Sequence, residues 1–563
     1  MSTRKRVLVI GLDGAPFPLL RQWAEAGHLP TLQRLFTEGS ATMLGSTMPP
    51  TSGPAWSSFA TGKNPGKTGI YDFLYRRPGG YVFPPVNTGM RSGASLWRLL
   101  SDAGLKVGVV NLPISYPVEK VNGVFISGWM TPYFATDYTY PGDLGEELRT
   151  RVGDYRIYPA ETFSERGAAG FFRASDELLD LLTRTSLYLM ERDDWDFFMT
   201  VYFDVDRVLH QLWHYLDPGH PWRSGDTRDG AGLTAPVLRY FQRLDADIAR
   251  LIAKAGDGTN VVLMSDHGMG RASRFVVLNN LLLELGYMKL DSDLPTRLKA
   301  FALRRGLTLR NVHRLADKLG LAKHAEYKNV YSMDSVLKRF FLSFLNVDWE
   351  RTQAYSYGRH YGSLFLNVKG REPRGTIEPG AEYERARDEI AAAVLAYRDP
   401  ELGRPLVSRV IRREEVYHGP RFEEAPDLIL LPWDDADIFY GLSDFGSSRI
   451  WDQTYRYSGM HRDNGVLAAC GPDIRRGASV LSPSIVDLAP TVLHLLGQEV
   501  PDDMDGRVLE EMLEPGFAAA HPVRRRAAPE QDDGAQGGAA RRDYSADEEA
   551  EVLERLRDLG YLN

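Results

Sequence analysis

A short, unbroken aliphatic run that stops at small and acidic residues recurs along this chain, and longer amphipathic stretches separate its copies. Val7–Ile10 gives way to Gly11, Leu12, Asp13 and Gly14, as a strand buried on both faces does when its carboxyl end carries a loop. A helix is expected to follow through about Phe36. The Pro- and Gly-rich segment 48–56 then reads as a loop that turns into a helix from about Pro54, since proline suits a first helical turn. Strands are expected at 106–111, 196–203 and 260–265, with helices at 169–192 and 235–255 between them. The pattern resumes at 362–368, 427–431 and 466–470. Strands alternating with helices predict an α/β fold, a mainly parallel central sheet with helices on both faces. Ligands of such sheets gather beyond the carboxyl ends of the strands.

The 563 residues exceed one compact core. We expect a catalytic core in two parts, 1–270 and 351–516, separated by an inserted helical cap at 271–350, whose sequence is basic and leucine-rich. Residues 517–544 are rich in Ala, Arg, Gly, Gln and Asp and read as a flexible linker. Residues 545–563 begin with the capping-box spacing of Ser545 and Glu548. Val552, Leu553, Leu556 and Leu559 follow at helical spacing, giving an amphipathic helix that docks on its own subunit or on a partner, a route to a homo-oligomer.

The formal charge of -8 leaves no general basic field for a nucleic-acid polymer, so a phosphate-bearing substrate has to be held locally. The single cysteine, Cys470, excludes an intrachain disulfide and thiolate-rich metal sites. The basic start and the run at 7–10 are too short for a signal peptide. No stretch approaches the roughly 18 to 20 apolar residues of a membrane helix, and a cytoplasmic location is expected.

Three clusters can carry chemistry. Asp266 and His267 follow a strand directly. Asp206 and His210 are four apart, on one face of a helix if one forms there. His461 lies in a turn-rich loop ahead of the last strand. Singly, each has a plain reading: a loop brace, a helix-surface pair, a lone histidine. With Asp13 they make three carboxylates and three imidazoles, all at strand ends or in the loops beyond. That donor set suits zinc or manganese better than calcium or copper, and six donors suffice for two ions. Two ions can clamp the attacking and leaving oxygens of a phosphoryl transfer. Thr51 and Ser52 supply hydroxyls just before a helix whose amides favour an anion, and either can attack; the plain reading is that Ser52 caps that helix.

At these residues the chain resembles the alkaline phosphatase superfamily and, within it, the type I phosphodiesterase and nucleotide pyrophosphatase branch. Segment 7–14 is similar to the family's first metal-binding strand end. Segments 49–56 and 59–62 resemble its nucleophile loop and helix, and the stretch from Asp266 to Met269 is the most specific match. The resemblance implies Ser52 as nucleophile with Thr51 as alternative. It implies one metal on Asp206, His210 and His461, and the other on Asp13, Asp266 and His267, with zinc first and manganese or iron as alternatives. It implies hydrolysis of small phosphoesters, diesters before monoesters, through a phosphoseryl intermediate. Phosphotransfer or mutase chemistry on the same site is the rival enzyme reading, and a non-catalytic regulatory or lipid-surface binding protein the rival of another class. Trp56 stands where the superfamily's sulfatases carry an arginine, which argues against formylglycine chemistry. The histidine and asparagine that nucleotide pyrophosphatases place near the segment 67–73 are missing. Lys63, Asn64 or Lys67 can substitute as phosphate ligands, or be surface charges.

Overall fold

The computed structural model describes the chain except residues 1–3, 162, 164–166, 224–231, 309–310, 312–339, 442–444, 446, 455–456, 529–542 and 559–563. At its centre is an eight-stranded sheet in the spatial order Ser40–Leu44, Gly465–Cys470, Asn260–Met264, Val7–Leu12, Phe197–Tyr202, Val107–Leu112, Gly123–Ser127, Thr139–Tyr140. Val7–Leu12 pairs in parallel with both neighbours, Val7 against Phe197 on one side and Asn260 on the other. The 465–470 strand runs antiparallel, and so does the short edge strand 139–140. The expected mainly parallel α/β sheet is therefore present.

Alternation along each strand splits its side chains between two cores. Val7, Val9, Met199, Val262 and Met264 pack with Trp56, Phe59 and Trp97 on one face. Leu8, Ile10, Phe198, Val261 and Leu263 pack on the other with the helices Ala168–Arg192, Asp204–Leu216 and Thr234–Ala255. Burying such a side chain fully contributes about 1.5–3 kcal/mol. The register of Val7–Ile10 is thus fixed on both faces, and with it the position of Asp13.

The expected single helix through Phe36 is two, Phe17–Glu25 and Pro30–Glu38, because Gly27 takes a positive φ of 79° and Pro30 starts a new first turn. The helix expected from Pro54 begins two residues earlier and spans Ser52–Thr61, so Ser52 is its first residue and no side-chain cap is made at Thr51.

A third core lies under a second layer of sheets. One has the antiparallel order Ala354–Ser356, Gly362–Leu366, Leu428–Pro432, Val407–Arg412. The other has the order Gly358–His360, Asp437–Gly441, Arg274–Val277, Trp451–Gln453. The segment expected as a helical cap at 271–350 contains a strand, Arg274–Val277, besides the helices Leu278–Leu285 and Leu294–Arg304; Val276 finds partners on both sides. Much of that segment, 312–339, lies outside the described residues.

Of the stretch expected as a linker, 517–520 completes the helix Pro515–Ala520, and Arg525–Arg526 pairs with Val500–Pro501; its middle, 529–542, is outside the described residues. The C-terminal helix Ala546–Asp558 opens with Ser545 and Glu548 in reciprocal side-chain to backbone bonds. It buries Val552 and Leu556 in the third core, on its own subunit. No described helix is long and apolar enough to cross a membrane.

Candidate active site

The carboxyl ends of Val7–Leu12 and Asn260–Met264, adjacent and parallel, present Asp13 and the pair Asp266 and His267 side by side. Between them sits Gly14 with φ 70°, where an added Cβ would stand 2.5 Å from Asp206 Oδ1. Glycine is required here because the chain must turn left-handed while a carboxylate approaches its backbone. The Gly14 amide donates to Asp266 Oδ1 at 3.1 Å.

Asp206 and His210 lie on the inner face of the helix Asp204–Leu216, their Oδ2 and Nε2 3.3 Å apart. His461 reaches them from the strand Gly459–Arg462, which pairs antiparallel with Gly268–Arg271 so that His461 faces Met269. That pairing is tight. A Cβ on Gly268 would fall 1.8 Å from Asn464 Oδ1.

All six side chains are buried. His210 Nε2 is 2.9 Å from His461 Nε2, which is 3.6 Å from Asp206 Oδ1. The His267 and His461 rings stack with centroids 3.8 Å apart. Two groups of donors could each hold a metal ion: Asp206, His210 and His461, and Asp13, Asp206 and His267. The carboxylate of Asp206 belongs to both. Asp266 joins the second group through His267, Oδ2 to Nε2 at 3.3 Å.

The donors are oriented as a cation requires. His210 Nδ1 lies 2.7 Å from the Gly459 carbonyl and His267 Nδ1 3.0 Å from that of Gly268. A ring nitrogen facing a carbonyl carries the proton, which leaves the Nε2 lone pair of each ring turned inward as a ligand. Asp266 Oδ2 has no hydrogen-bond partner within bonding geometry among the described residues. Burial pushes the Asp13 carboxyl well above the usual carboxylate range, and the charges of Asp266 and Asp206 push it further, against the Trp56 hydrogen bond. Burial also raises Asp266, opposed by His267 and the Gly14 amide. Carboxylates crowded in a dry site are costly as anions alone, and a bound cation offsets that cost.

Ser52 sits beside this cluster. Its Oγ is 3.0 Å from His267 Nε2 and 3.5 Å from Asp13 Oδ1. Gly53 follows because the helix start abuts the Asp72 carbonyl, 2.9 Å from where a Cβ would be. Thr51 is buried as well, yet its Oγ1 bonds to none of the cluster. One turn on from Ser52, the Trp56 indole donates to Asp13 Oδ2 at 2.8 Å. The residue that broke the sulfatase pattern thus orients a candidate ligand, a role that no spacing rule in the sequence announces.

Lys63, Asn64 and Lys67 do not join the site. Lys63 pairs with Asp503 and Lys67 with Asp505, which also accepts from Asn64. Sequence reading passed over His360. It is buried at a positive φ of 91°, with its ring centroid 5.6 Å from that of His461. A strained non-glycine backbone beside a polar cluster is a mark of functional sites, and only the folded chain displays it.

No curated protein matches the chain. Among solved structures, human ectonucleotide pyrophosphatase/phosphodiesterase 5 is similar at 14% identity and TM-score 0.48, over 91% of this chain and 100% of that one. Phosphonoacetate hydrolase from Sinorhizobium meliloti 1021, in complex with phosphonoacetate, is similar at 15% identity and TM-score 0.46, over 88% and 96%. The profile of the type I phosphodiesterase / nucleotide pyrophosphatase family matches residues 7–462, from the first sheet strand to the strand that carries His461. The chain belongs to that family and is a phosphoric ester hydrolase.

Proposed function

We propose that the protein hydrolyses small phosphoesters, diesters before monoesters, with Ser52 as the covalent nucleophile. The observation that carries this reading is the Ser52 hydroxyl, buried at the start of its helix and 3.0 Å from His267 Nε2 within a nest of three carboxylates and three imidazoles. Asp206, His210 and His461 would hold one divalent cation and Asp13, Asp266 and His267 the other, zinc first, with Asp206 placed to serve both. Bound there, the pair supplies Lewis-acid charge to the phosphoryl and leaving oxygens.

The chain's own groups do the rest. Ser52 Oγ attacks phosphorus and the bond to the leaving oxygen breaks, the departing alcohol taking a proton equivalent to the one Ser52 lost. Water then attacks the phosphoseryl group, delivering its hydroxyl to phosphorus and returning a proton to Ser52. The amides at the start of the Ser52–Thr61 helix, which no side chain caps, favour the anion during both steps. Trp56 keeps Asp13 in one orientation throughout.

Ser52→Ala is expected to lower turnover of an aryl phosphodiester by about a thousandfold or more, with metal content unchanged. The check is steady-state assay on aryl diester and monoester substrates beside metal analysis of the same preparation. An unaffected rate with full metal would remove Ser52 from the chemistry.

A further inference from the structure

The helix Leu294–Arg304 is apolar on two opposite faces. Thr296, Ala300 and Leu303 look inward, Thr296 buried and the other two packed against the third core. At 100° per residue, Leu294, Leu298 and Phe301 cluster on the far side, and they are 69%, 59% and 56% exposed. The next turn exposes Leu307. The neighbouring segment, tied on through the bond from Asn346 Nδ2 to Thr296 Oγ1, exposes Leu345 at 78%. Isolated exposed leucines are ordinary; three large apolar side chains exposed along one face of a helix whose other face packs on the core are not.

Charge identifies what covers this row. Residues 294–308 carry Arg297, Lys299, Arg304 and Arg305 and no carboxylate, in a chain where 75 acidic residues outnumber 67 basic ones. Arg297, Arg304 and Arg305 are exposed, and none forms an ion pair among the described residues; Arg305 lies over the Phe301 ring. Two-fold pairing with a second copy would set these like charges against each other. An anionic lipid surface accepts both features at once. The leucines and the phenylalanine enter the acyl boundary while the arginine stems lie along it, their heads among the phosphates.

We infer that the outer face of the Leu294–Arg304 helix docks this enzyme on an anionic membrane surface, whatever ester the buried centre hydrolyses. The test is co-sedimentation of the full-length protein with vesicles of phosphatidylglycerol and phosphatidylcholine in equal parts, and with phosphatidylcholine alone. The wild-type chain should partition at least about tenfold better onto the anionic vesicles and be released by half-molar salt. L298E/F301E and R304E/R305E should each reduce that binding by about tenfold or more while turnover of a soluble aryl diester stays unchanged. The second variant alters surface arginines alone, so it decides the matter if the first misfolds. Three results would overturn the inference: no vesicle binding by the wild-type chain, equal binding to neutral vesicles, or binding that survives R304E/R305E. A wild-type dimer that L298E/F301E dissociates, without vesicle binding, would assign the face to a second copy instead.

Discussion

The two sides of the candidate centre are built differently. Asp13, Asp266 and His267 project from the ends of adjacent parallel strands whose side chains are locked into two cores, so their spacing follows from the sheet itself. Asp206 and His210 come from a helix and His461 from a two-stranded antiparallel sheet of segments far apart in the chain, and their meeting depends on how those pieces dock. The docking is secured by backbone: Ser458 donates to the His210 carbonyl and His210 Nδ1 faces the Gly459 carbonyl. The sheet side is thus rigid by construction, and the helix side is only as rigid as one short interface. Asp206, common to both donor groups, joins them.

The widest effect should come from the shared residue. Asp206→Ala is expected to empty both sites and lower activity by about a thousandfold, whereas His461→Ala should remove about one metal equivalent and leave the sheet side loaded. Metal analysis of the two purified variants measures the contrast directly. Equal losses would mean that the two sides form one inseparable cluster.

Gly268→Ala attacks the interface without touching a donor. The new methyl group would overlap Asn464 and its backbone, so the 459–462 strand must shift, carrying His461 away from His210. A loss of about tenfold to a hundredfold in metal affinity, confined to one equivalent, is expected by competition against a chelator. Loss at both sites together would erase the distinction between rigid and docked sides.

A smaller effect is expected on the rigid side. Trp56→Phe deletes the indole hydrogen bond to Asp13 while keeping the aromatic packing against Phe59. About a tenfold fall in kcat/KM is expected, with the fold unaffected in thermal melts. The rate should fall without a metal equivalent being lost, because the strand end still holds Asp13 in place.

The smallest effect lies just behind the docked side. His214, on the same helix as His210 and bonded to Ser458 Oγ, has its pKa lowered to about 4, first by burial and then by His220. The folded pKa lies below the unfolded value of about 6.5, so between the two the unfolded chain binds a proton that the folded chain refuses. That contribution is complete above about pH 6.5 and is lost as pH falls toward about 4, by roughly 1–2 kcal/mol. Denaturant titrations at pH 7 and pH 4.5 should show a smaller acid penalty for His214→Gln than for the wild-type chain.

Much of this was legible beforehand, for definite reasons. Strands buried on both faces must be apolar throughout, so Val7–Ile10 and Asn260–Met264 announce themselves, and polar residues at their ends stand out. The four-residue step from Asp206 to His210 marks one helix face. The role of Trp56 was hidden because it depends on where the helix Ser52–Thr61 lies against the first strand. The pairing of Lys63 and Lys67 with Asp503 and Asp505, over 430 positions away, is announced by no local spacing. His360 carried no motif, only a backbone angle that the sequence does not display.

Read from sequence were the strands near 7–10, 106–111, 196–203, 260–265 and 466–470, the mainly parallel class of their sheet and the candidate donors, because hydrophobic periodicity and residue chemistry are local properties. The strands Ser40–Leu44, Gly123–Ser127 and Thr139–Tyr140 carried no such signal, and Gly362–Leu366 and Leu428–Pro432 pair antiparallel in a separate sheet. Only the fold placed Asp206 in both donor groups, turned Ser52 rather than Thr51 toward His267, and brought His461 in on a strand paired with 268–271. Those outcomes depend on distances of a few ångströms between segments far apart in the chain, and only packing sets such distances.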